Sequence, residues 1–436
     1  MGALLYFGLQ LHRVEGLAMP RSSLGVSASN ALTARWVEQV GESRADFVLS
    51  GAAVWPLLAF LAAAADDAAR GELEQAAGIP ADRALACAND VIEVVDRAAG
   101  AHGAIGLWVH HDLPLRMAWA SELSADIVGR LRGEPMEDQA MLDAWVREHT
   151  LGVLDRLPIQ LEAKTALLLA ACLAIRTHWA TPFEDSGLPL RPSSGPWIGL
   201  SPHGLGGTFE DLDRVGVVDT QSGAVTVFNS QGADEIDVHL ILGPENLSAG
   251  ALLSKIIAAL TQPGAWRRGS DLRTGDTAPG LVVEEVVRHD PVPPYIDVLT
   301  VAFEVSADHD LLREPDLFGL RTAMDSRFGH FPGISDWPLA VRQARQSGRA
   351  IFSAKGFEAA AVTAISMDLL GAALLLPLPE YTVRVIKVVF DQPFGFLAVD
   401  RSSQLVLFAG WVETPARYPN AELYEGDNPM FRIGRS

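Results

Sequence analysis

The residue types that do chemistry are few in this chain, and none stands in a working arrangement. Cys87 and Cys172 are the only two cysteines. They allow one disulfide at most, so no disulfide framework holds the fold. Cys172 lies in the apolar run Ala166 to Ile175, which reads as a buried, inert thiol rather than a nucleophile. His110-His111 is the one histidine pair. Neighbours along a strand point to opposite faces, which argues against a shared metal. No two histidines have helical ligand spacing beside an acid. There is no Gly-x-Ser-x-Gly, no Walker loop and no dinucleotide glycine pattern. Gly204-Leu205-Gly206-Gly207 reads as a flexible loop rather than a phosphate cradle, and Asn246-Leu247-Ser248 has the form of a glycosylation sequon. The expectation is a protein that is not an enzyme and takes no cofactor or metal.

The chain has 436 residues, of which 49% are hydrophobic, enough for a sizeable core. Its 34 Lys+Arg against 54 Asp+Glu give a net charge of −20. Phosphate contacts need clustered Lys and Arg, so nucleic acid is excluded as a partner. Anionic membrane surfaces would repel the chain. Its longest apolar runs, Leu57 to Ala65, Ala166 to Ile175 and Leu369 to Leu378, are too short to span a bilayer. The N-terminus MGALLYFGLQ has no basic residue before its apolar patch, which favours the cytoplasm over secretion. Residues 1–27 are expected to be a disordered tail.

The elements available to position anything are helices early and strands late. Periodicity predicts helices over Asn30 to Val40, Ala52 to Ala65, Ala68 to Ala77 ending at Gly78, Met141 to Leu157 and Leu252 to Leu260. Strands are expected at Phe47 to Leu49, Ala104 to Val109, Val225 to Phe228, Val238 to Leu242, Val282 to Val287 and Tyr295 to Val305. Thr165 to Ile175 fits a strand buried on both faces or a short buried helix. Ser186 to Gly207 reads as loop. Segregated helices and strands make the class α+β, in one domain over residues 28–415.

The most informative stretch is Phe390 to Pro415, FDQPFGFLAVDRSSQLVLFAGWVETP. Two apolar runs flank the turn Asp400-Arg401-Ser402-Ser403, which predicts a hairpin. Pro393-Phe394, the polar turn, then Leu407-Phe408-Ala409-Gly410-Trp411-Val412 and Pro415 resemble the C-terminal signature of the serpins. Other segments follow the same family in order. Leu142-Asp143-Ala144-Trp145-Val146 with Thr150 and Gly152 resembles its helix-F segment. Leu167 to Phe183, with Trp179 and Pro182-Phe183, is similar to its central strand. The chain resembles a divergent, bacterial-type serpin. The resemblance implies mixed large β-sheets, most helices in the N-terminal half, and a C-terminal reactive loop and hairpin.

The resemblance also implies a loop over residues 354–379. Its hinge would be Gly356, Phe357, Glu358, Ala359, Ala360, Ala361 and Thr363. Taken without the family, Phe357 to Leu376 is rich in helix formers and reads as an amphipathic helix. In an extended reading, Phe357, Ala359, Ala361 and Thr363 share one face, opposite Glu358 and Ser366. Family spacing from Gly356 puts the scissile bond at Leu370-Gly371, suited to a serine or cysteine protease with apolar primary specificity. The implied mechanism is cleavage of the loop, trapping of the acyl-enzyme, and insertion of the freed loop into the large sheet, a strand addition. The protein would act as a monomer.

Several positions depart from the family pattern. Phe357 replaces the threonine after the hinge glycine and is expected to slow insertion, so that Phe357→Thr would raise the yield of covalent complex. In the sheet-opening region, Ala171 and Gln346 fall where the family has asparagine and histidine. Ser50 is retained, and Trp179 is present. The alternative reading is a non-inhibitory serpin that works as a binding or chaperone-like protein. Residues 416–436 continue past the usual family end and are expected to be loop.

Overall fold

The computed structural model describes residues 23–123, 127–159, 161–192, 195–262, 264–357 and 379–419. Eight α-helices are present among them: α1 Leu24–Val40, α2 Gly51–Ala64, α3 Asp67–Ala77, α4 Ala81–Arg97, α5 Met117–Ala120, α6 Pro135–His149, α7 Ala249–Ala259 and α8 Pro315–Phe318. Three sheets accompany them, so the class is α+β with most helices in the N-terminal half, as expected.

The first sheet runs β1 (Phe47–Leu49), β20 (Val406–Val412), β19 (Phe394–Asp400), β10 (Ile236–Leu242), β9 (Gly223–Gln231), β8 (Val215–Thr220) and β11 (Trp266–Arg268). The second runs β12 (Thr277–Ala278), β13 (Leu281–Arg288), β18 (Tyr381–Val389), β14 (Tyr295–Val301), β7 (His203–Phe209) and β6 (Glu184–Pro189). The third, which matters most for function, runs β3 (Val128–Leu131), β2 (Ala101–His110), β4 (Leu167–Ile175), β16 (Gln343–Phe352), β17 (Gly356–Phe357) and β5 (Thr177–His178). β15 (Phe303–Asp310) pairs with the other edge of β16.

The core lies between α2 and the sheets. Nearly all of α2 is buried, as its apolar sequence requires. α3 stops where expected, at Gly78 in the left-handed conformation (φ 70°). β4 settles the ambiguity at residues 165–175. Its Leu167, Leu169, Ala171 and Leu173 face the main core, while Leu168, Ala170 and Cys172 face α6. A strand buried on both faces must be apolar at every position.

The hairpin β19–β20 is present with its polar turn. The carboxylate of Asp400 accepts from the Ser403 N–H at 2.7 Å and from the hydroxyls of Ser402 and Ser403. Arg401 reaches across to buried Asp237 on β10 at 2.6 Å, which ties the turn to the next strand. The Asn30 side chain closes the same hairpin from α1, donating to the Gln404 carbonyl and accepting from the Val406 N–H.

Several boundaries correct the sequence reading. α1 begins at Leu24, inside the expected tail, with Ser23 accepting from the Val26 N–H. Gly25 and the serines there are poor helix formers, and tertiary packing outweighs them: a Cβ on Gly25 would lie 2.5 Å from the Cys87 carbonyl of α4. α6 is shifted toward the N-terminus, starting on Pro135 and ending before Leu151 and Gly152, both at positive φ. The glycine-rich segment at 203–207 is strand β7, paired with β14 and β6. Gly207 makes room for rings, since a Cβ there would lie 2.7 Å from Phe209. Tyr295 to Val305 is two strands in different sheets. They part at Ala302, whose N–H turns to the His203 carbonyl. Past the expected domain end, Ala416 bonds Ala302 and His203, and the Tyr418 hydroxyl donates to the Gly187 carbonyl at 2.8 Å. No described helix is long and apolar enough to cross a membrane.

Candidate functional site

The site is the place in the third sheet where another strand could enter. β4 and β16 run parallel and meet directly over six pairs, from Leu168–Gln343 to Leu173–Gly348. This is a closed seam. Beyond it the chain of β16 turns back through Ser353 to Lys355, and β17 lies between β16 and β5, antiparallel to both. One row across the sheet therefore reads Phe352, Phe357, Thr177. The sheet is open by one short strand at this end and closed below it.

Local chemistry explains why the turn sits here. The Gly356 carbonyl accepts from the Ser353 N–H at 2.9 Å and from its hydroxyl at 3.0 Å. A Cβ on Gly356 would lie 2.3 Å from the Thr177 carbonyl, so only glycine allows this approach. Trp179 braces the turn from the other side. Its indole Nε1 donates to the Ser353 carbonyl at 2.9 Å, and its backbone N–H donates to the Lys355 carbonyl at 3.0 Å. The Trp179 ring packs on Phe352 at 4.9 Å between centroids.

Phe357 corrects an expectation. It does not wait outside for a slot built for a small side chain; it already lies in the sheet and is fully buried. Its ring meets Phe396 at 6.0 Å, and Phe396 continues to Phe303 at 5.1 Å. An aromatic stack from the hairpin thus forms the floor under β17. The structure fits the ring, so no overpacking cost remains to be met at this position.

The sheet-opening residues are only partly brought together. Ala171 and Gln346 are partners across the seam. Ser50 uses its hydroxyl to cap α2, accepting from the Ala53 N–H at 3.1 Å. Gln346 is fully buried, and neither its amide oxygen nor its amide nitrogen has a hydrogen-bond partner among the described residues. Its strand neighbour His309 donates from Nε2 to the Val48 carbonyl at 2.9 Å and meets Trp36 edge-on. Glu358, Ala359, Ala360, Ala361, Thr363, Leu370 and Gly371 lie outside the described residues.

Burial holds the His309 imidazole below its usual range, opposed by the Val48 carbonyl and Asp308. The folded chain therefore resists the proton that the unfolded chain accepts near pH ~6.5. The stability this contributes is complete above that pH and is lost as pH falls below it. His309→Gln is expected to flatten the fall in melting temperature between about pH 7.5 and about pH 5.5. An unchanged profile would show that His309 is not the group responsible.

Cys172 lies buried, as its apolar run leads one to expect. Both thiols are buried and free, and burial pushes Cys172 up to about 12. The histidine pair differs from expectation. β2 ends at His110, so the strand alternation fails one residue later and the two rings come within 4.5 Å.

Downstream of residue 378, β18 is held on both edges. It pairs antiparallel with β13 from Leu281–Val388 to Arg288–Tyr381, and parallel with β14. The segment between β17 and β18 is thus tethered at both ends to different sheets.

No protein-family profile matches the chain. Human heparin cofactor 2 is 26% identical over 121 residues, a match that spans 28% of this chain and 22% of that protein. Among solved structures, Serpin48 of the insect Tenebrio molitor superposes with a TM-score of 0.65 at 17% identity, over 90% of this chain and 98% of that one. Native protease nexin-1 with heparin gives 0.67 at 15% identity, over 90% and 100%. Human thyroxine-binding globulin gives 0.65 at 16% identity, over 90% and 98%. The chain accordingly adopts a serpin fold over 90% of its length.

Proposed function

We propose that the protein inhibits serine or cysteine proteases of apolar primary specificity by sacrificing the loop that follows β17. The observation that carries this reading is β17 itself, already seated between β16 and β5 at the open end of a seam. Cleavage of the loop would free its β17 end from the anchor in β18. The freed end would then extend downward, separating β4 from β16. Each parallel pair in the seam would be replaced by two antiparallel ones, a more favourable ladder per residue. The protein supplies conformational free energy and no catalytic group. The bond attacked is Leu370-Gly371 in this reading.

The test is incubation with a chymotrypsin-like protease followed by denaturing electrophoresis. A band at the summed mass that survives boiling is the expected result. Complete cleavage near Leu370 with protease activity undiminished would overturn trapping and leave a non-inhibitory protein on the same scaffold.

One cavity favours a second reading, as a binding protein. It encloses about 650 Å³ between the end of α1, the start of α7 and the hairpin strands, and is lined by Arg44, Asn246, Gln392, Trp411 and Glu413. Thyroxine-binding globulin, with the same fold, has been solved in complex with thyroxine. Quenching of tryptophan fluorescence by a small aromatic acid, lost in Arg44→Ala, would support this reading.

A further inference from the structure

We infer that the turn at the C-terminal end of β2 is a binding site for a divalent transition-metal ion, built from His110, His111 and Asp112. Because β2 ends at His110, the next two residues turn rather than alternate, and the three side chains converge. One ring nitrogen of each histidine and a carboxylate oxygen of Asp112 all lie within 4.8 Å of one another. His111 Nε2 is 3.1 Å from Asp112 Oδ1, and His110 Nδ1 is 3.8 Å from Asp112 Oδ2. A tetrahedral ion with bonds of about 2.0–2.1 Å sets its donors roughly 3.3–3.4 Å apart. The two carboxylate spacings are to different oxygens of Asp112, the three donors lie only within 4.8 Å of one another, and His110 Nδ1 accepts from the Asp112 N–H at 3.3 Å, so an ion would have to draw the donors together by side-chain rotation.

The backbone under these donors is fixed. The His110 N–H donates to the Ala166 carbonyl at 3.1 Å, and the His111 N–H to the Leu131 carbonyl at 2.8 Å. The Leu113 N–H closes the turn on the His110 carbonyl at 3.0 Å, and the Arg130 guanidinium donates to the Leu113 carbonyl at 2.8 Å. β3 and the segment entering β4 therefore hold the turn from both sides, and only the side chains need ordering. Two imidazole nitrogens and one carboxylate oxygen suit Zn²⁺ and its late first-row neighbours, whereas Mg²⁺ and Ca²⁺ demand all-oxygen shells. Three protein ligands leave a fourth position for water. All three come from one turn that would move with β2, β3 and β4 as a unit. The ion would therefore stabilise the fold without holding the β4–β16 seam shut.

The experiment uses the full chain after removal of metal with a chelator. ZnCl₂ titrated by calorimetry should show one ion bound, and the melting temperature should rise with Zn²⁺ and return on chelation. MgCl₂ should do neither. His111 and Asp112 have side chains 51% and 63% exposed, so His111→Ala and Asp112→Asn should leave the metal-free melting temperature unchanged. Each should weaken Zn²⁺ binding by roughly tenfold or more. No binding at a large molar excess of Zn²⁺, or binding of equal strength in both variants, would overturn the site and leave an exposed polar turn.

Discussion

Phe357→Ala is expected to lower the stability of the protein by about 3–5 kcal/mol, the usual cost of emptying a fully buried phenylalanine site. The ring fills a pocket over Phe396 and is the one large side chain on a strand of two residues. Without it, only backbone hydrogen bonds hold Gly356 and Phe357, with no grip on the aromatic floor. β17 should then detach locally, which amide hydrogen exchange at Trp179 and the Ser353 turn would report. On the proposed trapping mechanism, the effect on inhibition follows from the race between insertion and hydrolysis of the acyl-enzyme. A loop whose first strand is docked has already met the cost of nucleating the new pairing. An undocked one has not, so more inhibitor should be cleaved for each complex formed. Phe357→Thr should act in the same direction, reversing the outcome expected from the family pattern. Equal stability of Phe357→Ala and wild type in urea would show that the pocket is not occupied in solution.

The hairpin was legible because its signal is local, a polar turn between β-rich runs. The uninterrupted apolar run of β4 fitted a strand buried on both faces or a short buried helix, and only the family resemblance favoured the strand. β16 was not legible. Its sequence, Gln343 to Phe352, carries Gln346 and Ser347 buried and Arg345 partly exposed, so hydropathy gives no period of two. Only its place between β15 and β4 makes it a strand, and no local pattern reports that. β7 was hidden for a related reason: its glycines read as flexible, whereas Gly207 makes room for the Phe209 and Phe183 rings. The seam residues Ala171 and Gln346 were found through the resemblance, and the structure pairs them across β4 and β16. Phe357 was found too, but the pocket that holds its ring was not. A bulky residue in a family position for small ones was read as an obstacle, because the compensating pocket is built by Phe396, far away in the chain. Long-range compensation of this kind has no trace in the spacing of residues. The same limit explains the histidine pair, where the end of β2, not the pair itself, decides which way the side chains point.

Gln346→Leu should make the protein more stable and, on the proposed trapping mechanism, a poorer inhibitor. The wild-type amide is buried with neither polar atom partnered among the described residues. An orphaned buried group of this kind costs about 1–3 kcal/mol, and an apolar replacement of similar size removes that cost. Stability to urea should therefore rise by about 1–2 kcal/mol. The position also sits inside the seam, opposite Ala171, where β4 and β16 must part before a strand can enter. Extra stability of the closed sheet that is lost at the transition state raises the barrier to parting. Each ~1.4 kcal/mol slows insertion about tenfold. Hydrolysis of the acyl-enzyme is untouched by the substitution, so the balance should move from trapping toward cleavage. The measurement is the stoichiometry of inhibition for both variants against one protease, beside their urea midpoints. A higher midpoint with unchanged stoichiometry would mean the seam at Gln346 parts after the rate-limiting step. An unchanged midpoint would mean that the amide has a partner in solution, such as a bridging water, and that this polar residue places no strain on the closed sheet.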